Sequence, residues 1–442
     1  MAKLALVGGT PIQSRQDEGL FHWPIVNDAM RAAQAKVLED GNMSGTDIAR
    51  RFEAEFAAWQ GRRYALSHNN GTNALNAAMY GLGLGPGDEI VCTSVTYWAS
   101  CTGALALGAS VVFCDIDPDT LQMDPASLEA HVTSRTKAIM VVHYMAHPAP
   151  MDEIMAIAKR HGLKVIEDVS HAQGGRYKGR MLGTFGDVAA MSLMSCKSFA
   201  VGEGGMLVTD DPEIYRRAIM YGHYDRIVDV CTDEEMKDTK NVPWGGLKNR
   251  MHQTSAAIGI EQLKKHDAEI AEIDRAMKYF WQGIADIDGL KMIYPAEDGS
   301  DKAGWYASRF LYDSAAFGGI SNVTFCDALN AETGGGFSFG CNMPLHFSSV
   351  FFDVDVYGHG RPTSCAFRED GFDPRALTGR LPNAEKINLR VLGEPWFKHD
   401  DHAKIDPYIE AVRKVAANFE ELRPVNDTTP IIGGIALSKR RK

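Results

Sequence analysis

Two stretches of the chain carry side chains whose types and order could do chemistry. In Lys164-Val-Ile-Glu-Asp168 an apolar strand ends in two carboxylates, and a carboxylate at the C-terminal edge of a parallel strand points into the crevice where such sheets bind ligands. A second strand, from Asp187 to Leu193, runs on into Met-Ser-Cys-Lys197 and then Val201-Gly-Glu-Gly-Gly205. The spacing between Asp168 and Lys197 lets one sheet present both. Pyridoxal 5′-phosphate (PLP) chemistry needs an amine to form an imine, an anion beside the pyridine nitrogen, a flat partner for the ring and donors for the phosphate. Asp168 would keep the ring nitrogen protonated, because a nearby opposite charge favours the cation. Lys197 would be both imine anchor and proton carrier.

The remaining two requirements have candidates as well. Asn70-Gly71-Thr72 precedes the helical run Asn73-Ala-Leu-Asn-Ala-Ala, so backbone N–H groups and the Thr72 hydroxyl can meet a phosphate at a helix N-terminus. Ser192 supplies a second hydroxyl. In Ser94-Val-Thr-Tyr97-Trp98 an aromatic side chain just past a strand end can stack on the pyridine face, and Tyr97 is favoured over Trp98. Taken singly these features are bland: an Asn-Gly-Thr is commonly just a helix cap, a strand-end Asp commonly closes a loop, and a lysine is ordinarily a surface residue. Their order along one strand-and-helix pattern is what carries the reading.

The elements that must position these residues are legible in the periodicity. Asp28 to Gln60 has helical spacing broken near Gly41, with Phe52, Phe56 and Trp59 on one face and Gly61 at the end. Short apolar runs follow at Asp88–Thr93, Ala109–Cys114, Ala138–Tyr144, Lys164–Ile166, Val188–Leu193 and Met206–Val208, alternating with helical segments such as Asn73–Tyr80, Ala99–Ala106 and Met151–His161. That alternation predicts a mostly parallel sheet covered on both faces. Beyond Asn249 a longer helical stretch, Thr254 to Ile287, leads into mixed short elements as far as Asn418. The expectation is a large α/β domain over residues 1–255 and a smaller α+β domain over 256–442, with a long loop at about 347–382.

Composition narrows the function classes. The 442 residues are 45% hydrophobic and 23% charged, and the formal net charge is −11, which opposes general attraction to nucleic acid or anionic membrane. The basic run Lys439-Arg440-Arg441-Lys442 reads as a solvated tail. Eight scattered cysteines without a C-x-x-C pair suit reduced thiols rather than disulfides or a metal site, and the absence of an apolar leader or spanning segment predicts a cytoplasmic protein.

Beyond the bare chemistry, the chain resembles the DegT/DnrJ/StrS family of PLP-dependent sugar and cyclitol aminotransferases of fold type I, the aspartate-aminotransferase-like fold. The resemblance is carried by N-G-T-N-A-L at 70–75, G-P-G-D-E-I at 85–90, V-I-E-D at 165–168, G-T-F-G-D at 183–187, the Lys197 region and Leu381-Pro-Asn-Ala-Glu-Lys386. It implies Lys197 as the Schiff-base lysine, Asp168 at the pyridine nitrogen, Gly71, Thr72 and Ser192 at the phosphate, Tyr97 stacked on the ring and His171 near its 3-hydroxyl. It also implies a homodimer with shared active sites, in which a residue near Lys248 serves the partner subunit. Where many relatives read G-Y-N-x-R, this chain reads Gly246-Leu-Lys248-Asn249-Arg250, so either Lys248 or Asn249 would reach the phosphate across the dimer. The Gly202-Glu-Gly-Gly205 form is similar to glutamine-dependent cyclitol aminotransferases and 3-amino-5-hydroxybenzoate synthases. The implied activity is ping-pong transfer of an amino group from glutamate or glutamine to a keto-sugar or keto-cyclitol, with Arg250 and His346 as candidate substrate contacts. The rival readings are a PLP dehydratase, lyase or aldolase on the same fold, and a non-catalytic PLP-binding regulator.

Overall fold

The computed structural model describes residues 3–239, 242–429, 431–432 and 435–436; the basic tail lies outside them. Seven strands form the main sheet: β1 (Tyr64–His68), β2 (Glu89–Thr93), β3 (Ser110–Cys114), β4 (Thr136–Val142), β5 (Lys164–Asp168), β6 (Val188–Ser192) and β7 (Gly205–Thr209). Their spatial order is β1-β7-β6-β5-β4-β2-β3. The pairs among β6, β5, β4, β2 and β3 are parallel, and β7 runs antiparallel to both of its neighbours. Every residue of β2, β3 and β7 is buried, as a sheet with helices on both faces requires. β1 has no counterpart among the predicted strands.

The helical reading of 28–60 resolves into Asp28–Glu39, started by the Asn27 side chain accepting from Met30 N, and Asp47–Gln60, ended by Gly61 at φ 73°. Phe52 and Phe56 are fully buried in the core under the sheet. The expected continuous helix from Thr254 to Ile287 is instead two, Gln253–Leu263 and His266–Gln282. No Gly or Pro marks the break. His266 is buried and its Nε2 bonds the Gln173 carbonyl at 3.0 Å, so a tertiary contact fixes where the second helix starts.

A second, antiparallel sheet orders Leu290–Met292, Phe310–Tyr312, Val391–Gly393 and Ser338–Phe339. It shares a core with helices His266–Gln282, Asn322–Thr333 and His402–Ala417 through Phe280, Phe310, Phe325 and Tyr408. The 347–382 excursion is more structured than a loop. It contains short helical turns at Ser349–Phe351 and Thr363–Cys365 and a helix at Pro374–Thr378. Phe351 packs edge-on to Phe113 of β3 at 5.0 Å, and Ser110 Oγ donates to the Ser364 carbonyl. The segment thereby covers the β3 edge of the main sheet, which would otherwise present unpaired backbone groups.

Candidate active site

Side chains alternate along β5, so its two terminal carboxylates part company. Glu167 is fully buried and accepts from the amides of Gly183, Phe185 and Gly186 at 2.7–2.8 Å and from His143 Nε2 at 3.1 Å. Burial opposes its charge, yet these bonds hold its pKa below the ordinary carboxylate value. Asp168 is the carboxylate of the crevice. One oxygen accepts from Ser100 Oγ at 2.8 Å and the other from Ser170 N at 3.0 Å, and Ser100 bonds in turn to Thr96 Oγ1 at 2.9 Å. The turn that carries Tyr97 thus also braces Asp168.

Lys197 sits in the connection between β6 and β7, which is pinned by Lys197 N to Met194 O and Val201 N to Leu193 O. Gln173 acts as a buckle: its Nε2 donates to Ser192 O at 2.7 Å and its Oε1 accepts from Ser198 Oγ at 2.7 Å. The lysine is 8% exposed and its carbonyl accepts from Trp23 Nε1 at 2.9 Å. Its Nζ lies 4.1 Å from the centroid of the Tyr306 ring. Burial lowers the ammonium's pKa to about 8, against the charge of Asp168, which favours the cation.

The helix Gly71–Gly81 begins over the end of β6. Asn70 caps it by accepting from Asn73 N at 2.8 Å. A Cβ on Gly71 would stand 2.5 Å from Ser192 Cβ, and a Cβ on Gly205 would stand 2.3 Å from Asn70 O, so glycine at both positions lets the helix N-terminus touch the strand ends. This places the amides of Gly71 and Thr72 beside Ser192, a cradle of the kind that takes a phosphate. His171 is buried between Tyr144 and Tyr306, with ring centroids at 5.6 and 4.8 Å. Its Nδ1 accepts from Met145 N at 3.2 Å, which leaves the proton on Nε2. Burial, then the charges of Lys197 and Arg309, hold it neutral, with its pKa well below the usual imidazole range. Met145 and Ala146 take left-handed φ values of 57° and 63° to make this contact. Amine, carboxylate, neutral imidazole and helix N-terminus fit PLP on the chemistry of the donors.

Tyr97 is 48% exposed and lies against Trp98 at 4.9 Å. Lys248, Asn249, Arg250 and His346 lie elsewhere. Asn249 is buried, with its N donating to Gly222 O and its carbonyl accepting from Asn69 N. Arg250 pairs with Asp225 at 3.1 Å, and both Arg250 and Lys248 lie over the Tyr224 ring. His346 accepts or donates to Ser94 Oγ at 2.6 Å and faces Glu385 at 3.7 Å. None of these contacts reaches Lys197, Asp168 or His171. Sequence reasoning missed Trp23, Ser100 and Tyr306. The aromatic pair Trp305-Tyr306 and the lone Trp23 were visible signals, but only folding brings them to Lys197.

A profile of the DegT/DnrJ/EryC1/StrS aminotransferase family matches residues 25–365. The chain is 30% identical to the spore coat polysaccharide biosynthesis protein SpsC of Bacillus subtilis over 91% of this chain and 98% of the relative. It is also 30% identical to a putative L-glutamine:3-amino-2,3-dideoxy-scyllo-inosose aminotransferase of Micromonospora echinospora over 95% and 99%. Among solved structures, an aminotransferase from Psychrobacter cryohalolentis superposes with a TM-score of 0.75 at 27% identity, covering 91% of this chain and 100% of that one. A 3-amino-5-hydroxybenzoic acid synthase gives 0.74 at 26%, covering 91% and 99%. With a site that meets PLP's requirements and a family match spanning most of its length, this chain belongs to the DegT/DnrJ/EryC1/StrS family of PLP-dependent, fold type I aminotransferases.

Proposed function

We propose that the chain moves an amino group from glutamine or glutamate to a keto-cyclitol or keto-sugar. The observation that carries this reading is a buried amine, its pKa drawn down to about 8, near a carboxylate fixed by two hydrogen bonds at the C-terminal edge of a parallel sheet. The acceptor class is supported by relatives matched over nearly their whole length whose names specify glutamine and an inosose, and by the likeness to an enzyme crystallised with its TDP-sugar product, with a TM-score of 0.76 at 25% identity.

When bound, PLP supplies an electron sink for negative charge at the amino-bearing carbon. The rest belongs to this chain. Lys197 Nζ anchors the coenzyme and, with a pKa near the working pH, takes and returns a proton. Asp168, held in place by hydrogen bonds from Ser100 and Ser170, would sit beside the ring nitrogen. His171 offers Nε2–H as a donor. The Gly71–Thr72 amides would hold the phosphate, and Trp23 and Tyr306 pack against Lys197, at its carbonyl and its amine. The chain works as a cytoplasmic homodimer in which the exposed Lys248, rather than the buried Asn249, reaches the partner's phosphate site. The exposed apolar side chains Val242, Trp244 and Leu247, next to Lys248 along the chain, support that arrangement.

In the test, PLP-loaded protein is mixed with glutamine, then with a keto-cyclitol such as scyllo-inosose. Glutamine should change the absorbance of the bound coenzyme and release its keto acid, and the ketone should restore the starting spectrum. Lys197→Ala should abolish borohydride-trappable attachment and lower turnover by about 10²–10⁴-fold or more. Undiminished turnover in that variant would refute the assignment.

A further inference from the structure

Beside Lys197 lies a cleft of about 370 Å³ whose walls include Trp23, Tyr306 and Trp396 and whose charged lining residues are Arg309, Glu394 and Lys398. It adjoins the segment that carries the amine: Ser195 and Cys196 line it, Trp23 in its wall bonds the Lys197 carbonyl, and the Tyr306 ring in its wall lies 4.1 Å from Lys197 Nζ. The charges in this cleft are not matched to one another. Arg309 is clamped by the backbone, with Nε donating to Gly340 O and Nη1 to Ala307 O and Ser308 O. Its Nη2 makes no hydrogen bond, and no carboxylate lies within ion-pair distance of it, among the described residues. Lys398 Nζ donates to Trp396 O and lies 3.0 Å from the centroid of the Trp396 ring, again without an acid partner.

Glu394 is the more telling group. It is 7% exposed, and both carboxylate oxygens are buried without a hydrogen-bond partner among the described residues. The nearby Lys302 donates instead to Ser308 Oγ. A buried carboxylate without partners is costly, and a fold keeps one where something else supplies them. An ionised carboxylate only accepts, so the matching ligand group must bring N–H or O–H donors and no negative charge. Burial lowers the pKa of Lys398 to about 6, which leaves it largely neutral near pH 7. The free cation Arg309 and the free carboxylate Glu394 are together the complement of a molecule with a carboxylate at one end and a neutral donor at the other.

We infer that this cleft receives the amino donor, with Arg309 taking a carboxylate and Glu394 selecting the amide of glutamine over the γ-carboxylate of glutamate. The inference rests on the aminotransferase reading above and adds the residue that decides between its two donors. Glutamine presents amide N–H groups to Glu394. Glutamate presents a second anion, which Glu394 repels in a site screened from water.

The test follows the coenzyme absorbance of the holoenzyme after rapid mixing with glutamine or glutamate, in wild type and in Glu394→Gln. The ratio of the two second-order rate constants should favour glutamine in wild type and fall by at least about tenfold in the variant, because glutamate gains while glutamine loses. A merely structural Glu394 would slow both donors by the same factor, and an unchanged ratio overturns the inference. If neither amino acid alters the wild-type spectrum, the aminotransferase reading itself fails. A binding measurement decides the point without turnover or a variant: tryptophan fluorescence of the wild-type holoenzyme, sensitive to Trp23 and Trp396, is titrated with glutaramate and with glutarate, the amine-free counterparts of the two donors. Glutaramate should bind at least about tenfold more tightly. Equal affinities would overturn the inference.

Discussion

Glu167 and Asp168 are adjacent in sequence and have opposite roles. Asp168 faces the crevice, whereas Glu167 is a structural anion that ties the 183–186 turn to His143 and β5. The consequence is a pH dependence with a defined sign. The folded pKa of Glu167 lies below its ordinary value of 4.5, so just below that value the unfolded chain binds more protons than the folded one. The stabilisation is fully present above pH about 4.5 and is lost as pH falls through the folded pKa. Glu167→Gln should cost about 3–5 kcal/mol at pH 7, because it removes the charged partner of three buried amides and His143. Urea titrations at pH 7 and pH 4 should show the gap between wild type and variant narrowing in acid; a gap that stays constant or widens there would contradict this role.

At the scale of elements, the site depends on how closely the helix Gly71–Gly81 approaches β6. Gly71→Ala puts a methyl group 2.5 Å from Ser192 Cβ, and one of the two elements must move. The expected outcome is a loss of about 1–3 kcal/mol in stability together with weaker PLP affinity, read by thermal melts and by coenzyme titration. Unchanged affinity would separate the cradle from the phosphate. This helix and β2 to β7 were legible in the sequence, and with them the positions of Asp168 and Lys197 in the fold, because strand ends and helix starts are local patterns. Other features were not. Tyr306 and Trp23 reach Lys197 across more than a hundred residues of chain. The break before His266 depends on a hydrogen bond to Gln173 and has no Gly or Pro to announce it. The 347–382 segment looked aperiodic because its order comes from Phe351 seated on Phe113, and the unpaired charge of Glu394 cannot be read from spacing.

At the scale of the whole molecule, the proposed homodimer should sediment as two 48.4 kDa chains. Trp244, 44% exposed and stacked under Arg216, belongs to the apolar surface next to Lys248, so Trp244→Glu should shift the protein toward monomer and reduce activity in step. A fully active wild-type monomer would contradict the shared site.

The placement of β1 has a further consequence, for synthesis. Among the described residues its one strand neighbour in the sheet is β7, with Tyr64 opposite Thr209 and His68 opposite Gly205. A nascent polypeptide leaving the ribosome at about 5–20 residues per second therefore carries an unmatched apolar ribbon for on the order of ten seconds before its mate emerges. During that interval the amino-terminal half is open to wrong pairing with other copies, and fragments that stop short of Gly205 inherit the same vulnerability permanently.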